Sequence, residues 1–292
     1  MPADTAVPAD TPRSARVSRQ RALLARAGML TADLRAQPDY LVIGGKRCGT
    51  TSLQQLLSQH PCVRPPHSGK GTHYFDVNHV KGPRWFRAHF PTRAGMAAQS
   101  WRAGSHVITG EASPYYSFHP AAMPRIAREL PDVRVVMIAR DPVERAYSHY
   151  RYEVRRGHET LGIHEALDAE HARLAGTERR LLADPTYISQ AHIRFSYQAR
   201  GMYAEQLDRV LAHLPAEQVL AVDFRRLFGD GTDELARVLR FLGLDPTRST
   251  AVPHREQGDG VTVPEDVRER LEAVYAEPNR FLREVHGLDL RP

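Results

Sequence analysis

The sequence predicts an α/β fold in which helices flank a mainly parallel central sheet. Short apolar, β-branched runs alternate with segments of helical periodicity, the first run stops at two glycines, and 41% of the 292 residues are apolar. Strands that alternate with helices are typical of parallel sheets covered on both faces. A chain of this size can bury a full core, so we expect residues 37–292 to form a single domain.

The first 36 residues are predicted to be a disordered or partly helical extension. Residues 1–20 are rich in Pro, Ala and Arg without a hydrophobic period, and a short helix is predicted over residues 21–35. The chain carries a formal net charge of +6, which suits an anionic ligand but also attracts nucleic acid. A basic nucleic-acid-binding protein is therefore one alternative. Because the charges are scattered and no recognition motif is present, we expect no nucleic-acid partner.

Four apolar runs are predicted as core strands. The first, residues 39–44, ends at glycine as a buried strand should. The second and third, residues 106–109 and 133–139, each lead into a polar turn, and the fourth, residues 218–223, follows a helical segment over residues 203–214. Two further helices are predicted from apolar faces, formed by Leu53, Leu56 and Leu57 and by Leu235, Val238, Leu239 and Leu242.

Cysteine content and hydropathy indicate the compartment. Cys48 and Cys62 are too few for a disulfide framework, and Cys48 lies in a glycine-containing turn. No stretch approaches the roughly 18 consecutive apolar residues of a membrane span. The N-terminus lacks the apolar core and cleavage site of a signal peptide. We expect a cytoplasmic protein without a membrane span.

The turn after the first strand has the composition of a phosphate-binding loop. It joins a predicted strand to a predicted helix, where backbone N–H groups and the helix N-terminus attract an anion. Small residues allow close approach, while hydroxyl and basic side chains add donors and charge. The competing interpretation is a tight turn with incidental basic residues. The predicted binding residues are Lys46, Arg47, Cys48, Gly49, Thr50, Thr51 and Ser52.

This loop departs from the nucleoside triphosphate loop. Gly44 and Gly49 keep the spacing of that motif, but Thr50 and Thr51 stand where it requires Lys followed by Ser or Thr. A P-loop nucleotide kinase-like phosphotransferase, the enzymatic alternative, would therefore lack its phosphate-binding lysine. We predict a fold of the P-loop-containing nucleotide-binding type whose chemistry needs neither that lysine nor a metal.

A second anion-binding motif follows the third predicted strand. Arg140 stands at the strand end, Pro142 begins a helix, and Ser148 lies two turns along it. A guanidinium and a hydroxyl in this arrangement suit a second phosphate. A structural arginine and a solvated serine are the competing interpretation.

With both motifs in this order, the chain resembles the sulfotransferases that use 3′-phosphoadenosine 5′-phosphosulfate (PAPS), especially the heparan sulfate branch. The family's basic residue, small residue and Gly-Thr-Thr are matched by residues 47–51, and its strand-end arginine and later serine by Arg140 and Ser148. The resemblance spans roughly residues 39–245. It implies a sulfotransferase domain that transfers a sulfuryl group from PAPS to a hydroxyl of a glycan or small-molecule acceptor and releases 3′-phosphoadenosine 5′-phosphate (PAP).

The resemblance also implies residue roles. Residues 46–52 would bind the 5′-phosphosulfate, and Arg140 with Ser148 the 3′-phosphate. Many family members have lysine where this chain has Arg47, so a guanidinium would act as the catalytic group that steadies the leaving oxygen.

The general base is the point where this chain leaves the family pattern. The heparan sulfate branch has a glutamate directly after a lysine, and Gly71 replaces it here. Two substitutes are predicted as catalytic: His73, which titrates near neutral pH, and Glu111, expected just after the second strand. The alternatives are a structural, hydrogen-bonded role for His73 and, for Glu111, positioning of the acceptor or of the phosphate loop. Six aromatic residues flank these candidate bases, and we expect them either to form a platform that binds the acceptor or to pack in the core. They are Tyr74, Phe75, Trp85, Phe86, Tyr115 and Tyr116.

Overall fold

The computed structural model describes residues 28–67, 71–229, 232–249 and 262–290. The predicted disorder of residues 1–20 and the first seven residues of the helix predicted over residues 21–35 lie outside these ranges, and the described remainder of that segment contains a 3-10 helix over Ala32–Leu34. Within the part described, the end of the extension packs on the domain. Arg35 donates a hydrogen bond to the carbonyl of Phe90 and forms an isolated antiparallel bridge with Thr92.

A five-stranded sheet in the order β2-β3-β1-β4-β5 forms the centre of the fold. Each described strand pairing is parallel, as predicted. Every residue of the central strand is buried, which explains why the sequence there is a continuous apolar run. The strands are β1 (Tyr40–Gly44), β2 (Val63–Arg64), β3 (Ile108–Ala112), β4 (Arg134–Ala139) and β5 (Val219–Asp223).

The predictions identify four of these strands and miss β2, whose two residues are too short to show a period. The second predicted strand is misplaced. β3 begins at Ile108 and runs to Ala112 because Gly110 and Glu111 pair with Tyr40 and Leu41 of β1. Glu111 therefore lies inside a strand rather than after it.

Helices cover both faces of the sheet and follow the expected segments. Leu53, Leu57, Leu235 and Val238 are all buried, as their helical spacing predicts. The α-helices are α1 (Thr50–Leu57), α2 (Gly82–Arg87), α3 (Arg93–Ala103), α4 (Ala122–Glu129), α5 (Pro142–Arg155), α6 (Ile163–Leu174), α7 (Thr177–Ala183), α8 (Gln190–Arg194), α9 (Tyr203–Leu211), α10 (Phe224–Phe228), α11 (Thr232–Phe241) and α12 (Glu265–His286). Among the helices that the structure describes, none is both long and apolar enough to cross a bilayer.

Two apolar clusters hold the fold together. The larger one packs both faces of the sheet, and the smaller one joins α5, α6 and α12 through Val143, Leu167 and Leu271. The smaller cluster fixes α5, which begins three residues after β4, against α6 and α12. Gly44 at the end of β1 pairs with Ile138 of β4, so the turns after these two strands meet at the carboxyl edge of the sheet.

Candidate active site

The loop between β1 and α1 is held in a conformation that few residues adopt. Arg47 and Gly49 have φ angles of 77° and 83°, in the left-handed region. A Cβ atom at Gly49 would also lie 2.8 Å from the ring of Phe224. Glycine is therefore required at 49, while the positive φ of Arg47 is the kind of local strain found at binding sites.

Arg47 connects the two predicted anion-binding motifs. Its Nε donates a hydrogen bond of 3.0 Å to Oγ of Ser148 on α5, and its guanidinium lies 5.5 Å from the ring centroid of Tyr152. The Ser148 hydroxyl accepts this bond and keeps its own proton for a further acceptor. The loop and α5 thus form one continuous polar surface.

Arg140 faces the same surface from the end of β4. Its side chain is 12% exposed and donates to Glu144 over 3.1 and 2.7 Å. Its guanidinium lies 5.0 Å from the ring of Phe224. Asp141 caps α5 by accepting a 2.7 Å bond from the Glu144 backbone, which fixes the residue next to Arg140.

Arg47 and Arg140 line a cavity of about 500 Å³, and Ser148 is connected to it through its hydrogen bond with Arg47. This volume is within the roughly 300–1,000 Å³ typical of small-molecule sites. In the part of the chain that the structure describes, its lining includes basic, hydroxyl and aromatic side chains but no carboxylate. The lining residues are Lys46, Arg47, Gly49, Thr50, Thr51, Ser52, Pro114, Arg140, Tyr152, Phe224 and Phe228.

Cys48 is not placed as predicted. Its side chain is fully buried with Sγ 3.2 Å from the Tyr203 hydroxyl, and its backbone N–H donates to the Gly45 carbonyl over 3.1 Å. Burial raises the pKa of the Cys48 thiol. Both of its donor groups are therefore directed into the fold, because the small side chain fills the space beneath the loop.

His73 and Asp76 form a dyad near the end of β3. Nδ1 of His73 lies 2.8 Å from Oδ2 of Asp76, and the His73 side chain is 40% exposed whereas the carboxylate is buried. Burial alone would lower the pKa of His73, but the charges of Asp76 and Glu111 raise it above the usual histidine value. An imidazole oriented by a carboxylate in this way presents its other nitrogen as a proton acceptor.

Gly71 is a position where the chain leaves no room for a side chain. A Cβ there would meet the Ala112 carbonyl oxygen at 2.0 Å and Oγ of Ser113 at 2.4 Å. The segment crosses the end of β3 in direct backbone contact. A glutamate therefore does not fit at 71 without moving the chain.

Glu111 is fully buried, and its two carboxylate oxygens are both occupied. One accepts the backbone N–H of Thr72, and the other accepts a 2.7 Å bond from the Tyr116 hydroxyl. The same hydroxyl accepts the backbone N–H of Tyr74 at 2.8 Å. Glu111 and Tyr116 thus hold the segment that carries His73.

The aromatic residues expected beside the bases are mainly core. Five of the six are buried and Trp85 is partly exposed, and the rings of Tyr74 and Phe86 stack with their centroids 4.6 Å apart. The rings at the cavity are instead Tyr152, Phe224 and Phe228, which the sequence analysis missed. Phe224 directly follows the carboxyl end of β5, and that position was the signal available in the sequence. Among the described residues, no group of three or more His, Cys, Asp or Glu side chains has the arrangement of a metal site.

The comparison with known proteins agrees with these motifs. The family model for the sulfotransferase domain matches residues 37–258. The chain is 28% identical to heparan sulfate glucosamine 3-O-sulfotransferase 6 of Mus musculus over 99% of this chain and 82% of the relative. It is 33% identical to the 3B1 enzyme of Homo sapiens over 71% of this chain and 46% of the relative, so it spans about half the length of several relatives.

A solved structure is similar over most of its length. The sulfotransferase from Alicyclobacillus acidocaldarius is 27% identical, with a TM-score of 0.63 over 87% of this chain and 98% of that one. This likeness, with the parallel sheet and the loop after β1, confirms the predicted P-loop-containing α/β fold class. On the match to residues 37–258, the chain belongs to the sulfotransferase domain family and is a sulfotransferase enzyme.

Proposed function

We propose that this sulfotransferase takes its sulfuryl group from PAPS, transfers it to a hydroxyl of a glycan or small-molecule acceptor, and releases PAP. The observation that carries the proposal is the 3.0 Å bond between Arg47 and Ser148, since it brings both anion-binding motifs to one cavity. A nucleotide with phosphate groups at both its 3′ and 5′ positions needs two such motifs.

The cavity suits this nucleotide in charge and shape. The residues of the loop, Lys46 to Ser52 without the buried thiol of Cys48, would bind the 5′-phosphosulfate. Arg140 and Ser148 would bind the 3′-phosphate. The rings of Phe224 and Phe228, 4.9 Å apart, offer an apolar surface for adenine, where base–aromatic stacking contributes roughly 1–3 kcal/mol.

When bound, PAPS supplies an activated sulfuryl group and a bisphosphate leaving group. Transfer develops negative charge on the leaving oxygen, and the Arg47 guanidinium and the Thr50 hydroxyl are the donors proposed to stabilise it. Lys46 adds a cation beside them. These groups are fixed by the fold before the reaction, which lowers the cost of reorganisation in the transition state.

His73 is the proposed base for the acceptor hydroxyl. Its side chain is partly exposed and its ring is held by Asp76, whereas Glu111 is buried and fully bonded. Gly71 stands where the family has a glutamate, and the space there is too small for that side chain. This supports a different residue as the general base. His73 must be neutral to accept a proton, so transfer should rise as the pH increases through its raised pKa.

A glycan is the acceptor class that we favour. Mouse and human relatives that match 71–99% of this chain are named heparan sulfate glucosamine 3-O-sulfotransferases, but the chain spans about half the length of several of them. Small-molecule hydroxyls therefore remain in the proposal alongside saccharides.

The test is transfer of labelled sulfate from PAPS to a panel of glycans, phenols and lipid alcohols. We expect labelled product with at least one class for the wild type and little for Arg47→Ala. Labelled product from ATP with magnesium, and none from PAPS, would favour the kinase alternative and contradict the proposal.

A further inference from the structure

A buried carboxylate lies directly behind the phosphate-binding loop. Glu153 is on α5, five residues after Ser148, and its side chain is 1% exposed. One of its oxygens, Oε1, is bonded to the ammonium of Lys46, and Oε2 lies 2.7 Å from Nδ1 of His158. Because each oxygen is held by a different partner, the carboxylate has a fixed orientation.

Lys46 needs such a partner because its surroundings are unfavourable for a cation. Its side chain is 22% exposed, and the guanidinium groups of Arg200 and Arg194 act on it with the same sign of charge. Burial lowers the pKa of Lys46 to about 8, with Glu153 opposing that shift. The Tyr152 ring, 4.9 Å from the ammonium, adds a weaker attraction.

The groups around Glu153 keep it ionised. Burial alone would raise the pKa of Glu153, but His149, Lys46 and His158 together lower it to about 2. Nε2 of His149 lies 3.6 Å from the carboxylate, and burial lowers the pKa of His149 well below its usual range, so this imidazole is neutral. Lys46 is therefore the partner of Glu153 that lines the cavity, whereas His149 and His158 are not among the lining residues.

We propose that Glu153 is a positioning residue of the donor site, which holds the Lys46 ammonium beside the phosphate loop and keeps it charged. This inference rests on the proposed donor nucleotide, since the charge of Lys46 is useful only to an anion in that cavity. Lys46 lines the cavity, whereas Glu153 is buried behind it and acts through Lys46.

The proposal predicts a pH dependence of nucleotide affinity. Lys46 binds an anion only when protonated, so the Kd for PAP should rise above a pH of about 8 in the wild type. The phosphate groups of PAP have second pKa values of about 6 and do not titrate in that range. Removing the charge of Glu153 lowers the pKa of Lys46 further, so the rise should begin at lower pH.

The experiment is calorimetric titration with PAP between pH values of about 6.5 and 9. Four proteins are compared: the wild type, Glu153→Gln, the double variant that combines Glu153→Gln with Lys46→Arg, and the control Glu277→Gln. Glu277 pairs with Arg280 on the exposed face of α12, so it is a matched control for loss of a salt bridge. At a pH of about 9, above the pKa of Lys46 in both proteins, we expect roughly tenfold weaker binding by Glu153→Gln than by the wild type, which corresponds to a one-unit shift of the titration. The arginine double variant should show no rise in this range, because arginine stays charged.

The outcomes separate the two proposals. If the wild type binds PAP and Glu153→Gln has the same pH curve, or is weakened equally at every pH, the positioning role is wrong. If Glu153→Gln does not fold, Glu153→Asp replaces it, because aspartate keeps the charge at a greater distance from Lys46. The plot of Kd for PAP against pH should then move in the same direction by a smaller amount. An unmoved plot would overturn the inference. A wild type that binds no PAP at any pH contradicts the proposed function itself.

Discussion

Nε of Arg47 lies 3.0 Å from Oγ of Ser148, across 101 residues of sequence. The bond joins the turn after β1 to the first turns of α5, which begins just after β4. The left-handed φ of 77° at Arg47 is part of this arrangement, because it sets the direction in which the side chain leaves the loop. The Arg47 guanidinium therefore links the two motifs, which are proposed to bind opposite ends of one nucleotide.

Replacing Arg47 with alanine should weaken nucleotide binding and abolish most transfer. The change removes a charged donor from the cavity and leaves Ser148 without this partner. Charge-assisted hydrogen bonds contribute about 1.5–3 kcal/mol, so we expect the Kd for PAP to rise by roughly ten- to hundredfold. Calorimetric titration checks this. Arg280→Ala on the exposed face of α12 is the control, and an unchanged Kd in Arg47→Ala would contradict the assignment.

The His73–Asp76 dyad predicts that kcat/KM falls at low pH; this fall is the acidic limb of the pH profile. A protonated His73 has no lone pair for the acceptor proton, and its raised pKa places the limb above the usual histidine value. Asp76→Asn removes the carboxylate that raises this pKa, so the limb should move to lower pH while kcat falls. Measurements of kcat/KM against pH test this. An acidic limb that stays in place in both Asp76→Asn and His73→Ala would exclude His73 as the base.

His73→Ala should separate catalysis from donor binding. The imidazole is not among the cavity lining residues, so we expect an unchanged Kd for PAP and a loss of transfer of roughly a hundredfold or more, the contribution usual for a general base. The two measurements are made on the same preparation. Full activity of this variant would shift the proposed role to another group.

Glu111→Gln should reduce stability and activity but keep an acidic limb in the pH profile, and that limb should move to lower pH because the charge of Glu111 helps to raise the pKa of His73. An amide at this position offers one acceptor and one donor, so one of the two groups now bonded, the Thr72 N–H or the Tyr116 hydroxyl, would lose its acceptor. Leaving a buried donor unsatisfied costs about 1–3 kcal/mol. Thermal unfolding reports the first effect and kcat the second. If Glu111 were the base, the acidic limb would disappear in this variant.

Gly71→Glu tests whether this chain can accept the family glutamate. Because a Cβ would lie 2.0 Å from the Ala112 carbonyl oxygen, we expect a lower melting temperature and no gain in transfer. Overpacking of this kind typically costs about 1–3 kcal/mol. Gly71→Ala should give a similar loss of stability, which separates the steric effect from the charge. A more active glutamate variant would show that the segment moves freely.

The sequence was most informative where chemistry and periodicity coincide. The turn over residues 44–52 could be recognised because glycines, hydroxyls and basic residues follow a buried strand. Arg140 could be recognised because it directly follows a second buried strand. Both motifs line or border one cavity in the structure. The apolar faces that predicted α1 and α11 are buried as expected.

Features set by distant contacts could not be predicted in this way. The place of Glu111 inside β3 depends on its register with Leu41, and the Lys46–Glu153 pair joins residues 107 positions apart. The crowding at Gly71 comes from a backbone carbonyl of another segment. None of these relationships leaves a local pattern, because each arises only when the sheet and α5 have formed.

The most direct test of the central claim compares PAP with AMP by thermal unfolding of the wild type, Arg140→Ala and Ser148→Ala. The two nucleotides differ in the 3′-phosphate, which Arg140 and Ser148 are proposed to bind. We expect PAP to raise the melting temperature of the wild type clearly more than AMP at equal concentration, and this difference to shrink in both variants. Equal shifts for the two nucleotides in the wild type would contradict the account.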